Sequence, residues 1–366
     1  MLRQSCVICN SNILNDIYTL ENYPITPSSN NLDYSTDEFQ DCTFLSCNMC
    51  GCVQLKMLIN PIKLYLNSHN STNISELWRE HHTLFANFII KHNKLPELIE
   101  VGGNSGILYN LLRSSINSYT ILDISNTENR PSEVQFIQGN CENFNFTGYN
   151  SVVLSHTFEH LYEPRLFIQN LHSAKVDSIF ISIPNMEEMC LSKNISILHN
   201  EHTYYVGDYE IKYLFSQFNY YCNSSYEYKT HSRFYHFIYV SDIVPFTLTP
   251  SFLYRDKIID IFSKYPLLIK NININTPCYI CPAGHYGQKI YYYLQKYNKH
   301  IKGFLDNDPL KQNKRVYGTP FYIYPPKILE TYSGIKVYII LYAGPYINEI
   351  KKQINLIHSN IEYISL

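Results

Sequence analysis

Three groups of residues have types and spacings that can do chemistry. The first is the glycine-rich turn Glu100-Val101-Gly102-Gly103-Asn104-Ser105-Gly106, set between a strand-like segment and a helix-like one. Glycines there let the backbone approach a ligand where side chains would collide. Asp123 follows 21 positions after Gly102 at the end of the next strand-like segment, where a carboxylate can accept from both ribose hydroxyls. The spacing is E-x-G-x-x-x-G and lacks the G-x-G-x-x-G of dinucleotide sites, so it fits a ligand without a pyrophosphate, S-adenosylmethionine in preference to NAD. Asn140 falls where an adenine contact is expected, with Glu142 nearby. The donor set is therefore Glu100, Gly102, Gly103, Asn104, Gly106, Asp123, Asn140 and His156; the plainer reading is a tight strand-to-helix turn.

The second group is Cys6-Val7-Ile8-Cys9 with Cys47-Asn48-Met49-Cys50. Two thiolates two residues apart grip half of a tetrahedral zinc site, and four protein ligands leave no position for water, so the zinc would be structural. Cys42 and Cys52 read as core. The third group is His199-Asn200-Glu201-His202, with Tyr204 and Tyr205 beyond. Methyl transfer asks for alignment of donor and acceptor and for a base, and a histidine beside a carboxylate can be that base. A surface loop with solvated histidines is the alternative in a chain with 14 of them. His156-Thr157-Phe158-Glu159-His160 matches the H-x-x-E-H string of a class of zinc peptidases, but His156 ends a predicted strand instead of sitting inside a long helix. These residues line the donor-site floor or start the next helix.

The elements that must position these groups follow from periodicity. Residues 1 to about 70 read as irregular, with turn-formers from Tyr23 to Asn31, and Ile74–Lys94 is helical, with Leu77, Leu84, Phe85, Phe88 and Ile89 near helical spacing. Then come strands Glu97–Val101, Tyr119–Ile124, Val134–Gln138, Ser151–Ser155 and Ser178–Ile183, with helices Ile107–Ser114 and Arg165–Ala174 among them. That alternation predicts a parallel sheet covered on both faces, with ligands at its carboxyl edge. A helix Asp208–Phe218, a strand Phe234–Val240 and a linker Val244–Pro250 precede a second α/β unit. Its first strand is Cys278–Cys281, its turn Pro282–Gly287, and its second strand Gly303–Leu305 ends at Asp306. This turn and Asp306 either hold part of a ligand or serve packing. The domains expected are a zinc-binding module (1–72), a donor-binding domain (73–245) and a C-terminal α/β domain (246–366).

The 366 residues can bury several cores, and a formal charge of −2 without basic runs argues against nucleic acid and a membrane surface. No apolar run approaches the roughly 20 residues of a membrane span and no signal core is evident, so a soluble cytoplasmic protein is expected, monomer or dimer. Eleven cysteines, four of them in two pairs, fit metal binding better than a disulfide framework.

In combination these features resemble the zinc-containing sugar C-methyltransferases of deoxysugar biosynthesis, over nearly the whole chain. The resemblance is carried by Cys6, Cys9, Cys47 and Cys50 with Gly51–Leu55, by Leu98–Asn185 including Ser155–His160, and by Gly303–Gln312, Gly318–Pro320 and Asn348–Ile350. It implies a Rossmann-like class I methyltransferase domain flanked by a zinc module and a nucleotide-fold-like α/β domain. The substrate implied is a nucleotide-linked 4-keto-6-deoxysugar, deprotonated beside its ketone by a histidine of a Y-H-E-H motif. Glu201 and His202 align with the last two positions, making His202 the base, and Tyr65 in Leu64-Tyr65-Leu66-Asn67-Ser68 corresponds to a tyrosine facing the sugar. Departures fall mainly on the acceptor side: His199 and Asn200 replace the first two motif positions, and Thr230-His231-Ser232-Arg233-Phe234 replaces a G-G-S strand; Ser105 replaces an aspartate in the donor turn. O-methylation of a sugar hydroxyl, or a donor fold that binds without turnover, are the alternatives left open.

Overall fold

A computed structural model describes residues 1–365 apart from 66–74, 95–96, 127–129, 229–230, 243–245, 275–276, 298 and 343. Leu66, Asn67 and Ser68 of the tyrosine motif, Ile74, Thr230, and Val244 with Pro245 of the linker lie outside the described residues.

The first 60 residues are not irregular. Strands β1 (Leu14–Pro24), β2 (Ser29–Asn30), β3 (Phe39–Cys47) and β4 (Val53–Leu55) come in sequence, and β1, β3 and β4 pair antiparallel. The sequence hides this sheet because the register of β1 against β3 shifts twice, between Asp16 and Tyr18 and between Leu20 and Tyr23. Each shift breaks the alternation that marks a half-buried strand.

Helix α1 (Pro61–Tyr65) is followed by α2 (Glu76–His92), whose first turn is capped by the Ser75 side chain accepting the Trp78 N–H. Phe85, Ala86, Phe88 and Ile89 are buried as its periodicity predicts, and so are His81 and His82. The central sheet then runs through β5 (Glu97–Val101), α3 (Ile107–Leu112), β6 (Ser118–Asp123), β7 (Gln135–Gln138), β8 (Ser151–Ser155), α4 (Pro164–Ser173) and β9 (Ser178–Pro184). It continues with α5 (Met186–Leu191), β10 (Tyr204–Tyr205), α6 (Asp208–Ser216), β11 (Tyr220–Tyr228) and β12 (Ser232–Tyr239). The spatial order is β7-β6-β5-β8-β9-β12-β11, parallel through β9, with β12 antiparallel. Strands β5, β8 and β9 are apolar on both faces, with Ile99, Val101, Val152, Val153, Leu154, Ile179, Phe180 and Ile181 buried, because helices cover both sides. The order reverses at β5, which pairs with β6 on one side and β8 on the other, and such a switch point opens a crevice at the carboxyl edge. Strand β10 pairs instead with β4, joining the N-terminal sheet to the loop that carries His199–His202.

The C-terminal part holds α7 (Leu253–Asn271), β13 (Cys278–Cys281), α8 (His285–Gln295), β14 (Gly303–Leu305), β15 (Arg315–Val316), β16 (Ile323–Tyr324), β17 (Val337–Leu341), α9 (Ile347–Ile357) and β18 (Ile361–Ser365). Its sheet is parallel in the order β16-β14-β13-β17-β18. Strand β15 pairs with β2, and a buried fork between the Arg315 guanidinium and the Asp37 carboxylate (2.5 and 2.7 Å) fixes that junction. No helix among the described residues is long and apolar enough to cross a membrane.

Candidate active site

The carboxyl ends of the parallel strands of the central and C-terminal sheets open onto one cleft of about 980 Å³. From the central sheet come the turn after β5 (Gly102–Ser105) and the segment after β8 (His156, Thr157, Glu159, His160). From the C-terminal sheet come the turn after β13 (Pro282–Tyr286) and the segment after β14 (Asp306–Asp308). His199, Glu201 and His202 lie between the two.

In the glycine turn Gly102 and Gly106 hold φ of +75°, and Asn104 one of +45°. A Cβ on Gly102 would meet Thr157 Oγ1 at 2.5 Å, and one on Gly103 would meet Glu100 Oε2 at 2.4 Å. Asp123 ties the turn down by accepting the Asn104 N–H (3.1 Å) on one oxygen and the Ser125 N–H (2.9 Å) on the other. The Ser125 hydroxyl also donates to the second oxygen (3.0 Å), so the lone pair left for a ribose hydroxyl is on the oxygen that accepts the Asn104 N–H. Glu100 is buried, accepts the Tyr119 hydroxyl at 2.7 Å, and has its pKa pushed up to about 7 by burial. Asp123 and Asn140 stand outside the cleft lining, and exposed Asn140 uses its side-chain oxygen to cap the Glu142 N–H. The geometry thus ties Asp123 to the turn and gives Asn140 a local capping role.

Because Gly102 is both left-handed and crowded, Gly102→Ala is expected to strain the turn by about 1–3 kcal/mol. Donor affinity should fall roughly tenfold, about 1.4 kcal/mol. Calorimetric titration with S-adenosylhomocysteine checks this, and an unchanged Kd would remove the turn from the donor site.

Between the two sheets, the His199–His202 loop is pinned by Asn200 Nδ2 donating to Pro24 O (2.6 Å) and by the Thr203 N–H donating to Glu159 O (2.9 Å). The rings of His199 and His202 are 4.0 Å apart, and His160 lies 4.9 Å from His202. Burial, reinforced by the neighbouring His160 and opposed by Glu201, holds the His202 pKa well below the usual histidine value. Burial lowers His199 in the same way. Glu201 contacts His285 Nε2 at 2.5 Å, and Glu159 Oε1 lies 3.9 Å from His202 Nε2. Tyr65 meets His160 Nδ1 at 2.8 Å through its hydroxyl, and burial keeps that phenol protonated.

The sequence alone did not single out His81, His82 or Trp78, and it offered His285 only as part of the Pro282–Gly287 turn, not as a partner of Glu201. His81 and His82 were legible in one respect: they precede Phe85 by four and three positions, inside the apolar stripe of α2. The H-x-x-E-H string splits, since His156 joins His81 and His231 while His160 joins Glu159 and His202. Its two histidines therefore do not form the paired helical ligands of a zinc peptidase.

Cys6, Cys9, Cys47 and Cys50 bring four sulfurs within 4.8 Å of one another, with 3.5 Å between Cys6 and Cys50 and between Cys9 and Cys47. Tetrahedral zinc thiolates have edges of roughly 3.8 Å, from Zn–S bonds of about 2.3 Å. The four are free thiols, three of them buried, so the donor set fits such an ion.

Counted by its own strands the central sheet has the order 3-2-1-4-5-7-6 with the seventh antiparallel, the class I methyltransferase arrangement. No protein-family model and no curated protein matches the chain. Among solved structures, it is similar to a magnesium protoporphyrin IX methyltransferase from Synechocystis PCC 6803 with bound SAH, at 13% identity over 46% of this chain and 89% of that one, with a TM-score of 0.37. It is also similar to the 1,6-didemethyltoxoflavin-N1-methyltransferase of Burkholderia thailandensis, at 10% identity over 45% of this chain and 82% of that one, TM-score 0.37. A protein of Pyrococcus horikoshii OT3 matches at 13% identity over 50% of this chain and 100% of that one, TM-score 0.39. At these scores the likeness carries no argument about chemistry, and the fold is read from the strand order itself.

Proposed function

We propose that the chain is an S-adenosylmethionine-dependent methyltransferase that acts on a nucleotide-linked 4-keto-6-deoxysugar, methylating the carbon beside the ketone with His202 as general base. The observation that carries this reading is the shared cleft, lined by the glycine turn on one sheet, by the β13 and β14 turns on the other, and by His199–His202 between them. Two sheets whose parallel strands end at one cleft offer two nucleotide-sized sites with the reacting groups in the middle.

Gly102–Asn104 and Asp123 would hold the donor, which supplies an electrophilic methyl group when bound. His202, kept neutral by burial, presents a lone pair to the acidic proton of the sugar. Glu201 favours the imidazolium that forms, and is itself oriented by His285 from the far sheet. Tyr65 is not among the residues lining the cleft and would act through His160, whose Nδ1 its hydroxyl meets at 2.8 Å. Gly284, His285 and Asp306 would take the nucleotide part. A zinc ion on Cys6, Cys9, Cys47 and Cys50 would bind no substrate and would fix the sheet on which β10 rests.

Incubation with donor and a panel of nucleotide 4-keto-6-deoxysugars, alongside their reduced forms, tests the proposal. The expected product carries its methyl on carbon and has lost the adjacent sugar proton, and only the keto forms react. Methylation of the reduced forms alone, giving an O-methyl product, would establish the alcohol reading instead.

A further inference from the structure

At the cleft floor, beside the donor turn, three imidazoles from three separate elements converge on one hydroxyl. Ser232 Oγ lies 3.0 Å from His81 Nδ1 of α2, 2.8 Å from His156 Nε2 after β8, and 2.5 Å from His231 Nδ1 just before β12. One hydroxyl proton can serve one of these nitrogens; the others must each donate to the same oxygen or stand as bare lone pairs.

The outer nitrogens favour inward lone pairs. His156 Nδ1 faces Glu159 Oε1 at 3.3 Å, and His81 Nε2 faces Ser155 Oγ and Ser182 Oγ, each at 3.3 Å. A carboxylate behind one imidazole and hydroxyls behind another are the outer partners that orient metal-binding histidines and fix their tautomers. Glu159 is 3% exposed and neither of its oxygens has a hydrogen bond, so a buried polar side chain stands unsatisfied directly behind His156. Neighbouring His82, 7% exposed and lining the cleft, has neither ring nitrogen hydrogen-bonded. His156 holds φ at +49°, an uncommon backbone conformation for a residue with a side chain.

We propose that His81, His156 and His231 bind a divalent transition-metal ion of the zinc and iron(II) class at the floor of the cleft, separate from the four-cysteine cluster. The ligand-capable nitrogens already lie within 4.8 Å of one another, and small ring movements bring them to the roughly 2.0–2.1 Å bonds that imidazole makes to zinc. Three protein nitrogens leave a position for an oxygen ligand, from Ser232, water or an acceptor in the cleft, on the side lined by His156 and His231. All-imidazole ligation selects zinc, iron, copper or nickel over magnesium and calcium.

Cobalt(II) titration of the purified full chain, with the cysteine cluster loaded with zinc, tests the site by a readout independent of methyl transfer. The expected result is one equivalent of cobalt bound with visible ligand-field bands and no thiolate charge-transfer band, and loss of that equivalent in His231→Asn and in His156→Asn. His231 and His156 are chosen because His81 is fully buried, and circular dichroism checks that each variant is folded. Equal cobalt binding by wild type and both folded variants overturns the proposal, as does no binding by the wild type.

Discussion

Replacing His202 by glutamine is expected to lower kcat by about 10²- to 10⁴-fold, the usual contribution of a general base, while the Kd for the donor stays unchanged. The separation follows from position: His202 sits on the loop between the two sheets, and the glycine turn is tied down by Asp123 through the Asn104 N–H, which the substitution does not touch. The pH dependence adds a second signature. Burial lowers the His202 pKa, so the ring is neutral and competent at pH 7, and wild-type activity is lost only as pH falls through a value below the ordinary histidine figure of about 6.5. Stability moves in the same direction. A histidine with a depressed folded pKa contributes stability that is present above its unfolded pKa and is lost as pH falls toward the folded one. The profile must therefore be read where circular dichroism shows an intact fold. In that window the glutamine variant is expected to lose the acid limb as well as the rate. A variant that keeps full kcat removes His202 from the chemistry.

The second large effect is expected from Cys47→Ser. Apparent zinc-binding energies of roughly 10–16 kcal/mol in small cysteine modules are comparable to the whole stability of a domain, about 5–15 kcal/mol, so losing one thiolate should unfold the N-terminal sheet or lower its Tm sharply. The damage should spread to activity through named contacts. Cys47 ends β3 and, with Cys50, leads into β4; β4 pairs with β10 at Gln54–Tyr204 and Val53–Tyr205; and β10 starts two residues after His202. Gln54 also accepts the Val7 N–H at 3.0 Å and donates to Ser5 O at 2.9 Å, tying the first cysteine pair to the same strand. Zinc analysis and thermal unfolding of the variant check this. A chain that keeps its zinc, its Tm and its activity contradicts a metal-stapled support for the catalytic loop.

These expectations rest unevenly on the sequence. Strands Glu97–Val101, Ser151–Ser155, Cys278–Cys281 and Gly303–Leu305 stand where periodicity puts them, because buried parallel strands are short apolar runs bounded by turns. The N-terminal sheet was hidden by the two register shifts in β1. Helix α7 went unread; it contains Pro266, and its buried residues are spread thinly over Ile258, Ile261, Phe262, Tyr265 and Ile269. At the site, local motifs were legible and long-range convergence was not. The glycine turn, the cysteine pairs and His199–His202 each announce themselves within a few residues. The approach of His285 to Glu201 and the gathering of His81, His156 and His231 depend on how distant elements pack, which no local spacing encodes. Asn140 illustrates the converse: its place after the third strand suited an adenine contact, yet its side chain caps its own turn.

The two-sheet cleft makes a claim that binding alone can decide. Calorimetric titration of the purified chain with S-adenosylhomocysteine, with a nucleoside diphosphate, and with each in the presence of saturating amounts of the other measures whether the two sites coexist. One site per chain for each ligand and simultaneous occupancy are predicted, with Gly102→Ala weakening only the first. Mutual exclusion of the two ligands, or no binding of S-adenosylhomocysteine, would contradict the assignment of donor and acceptor to opposite sides of the cleft.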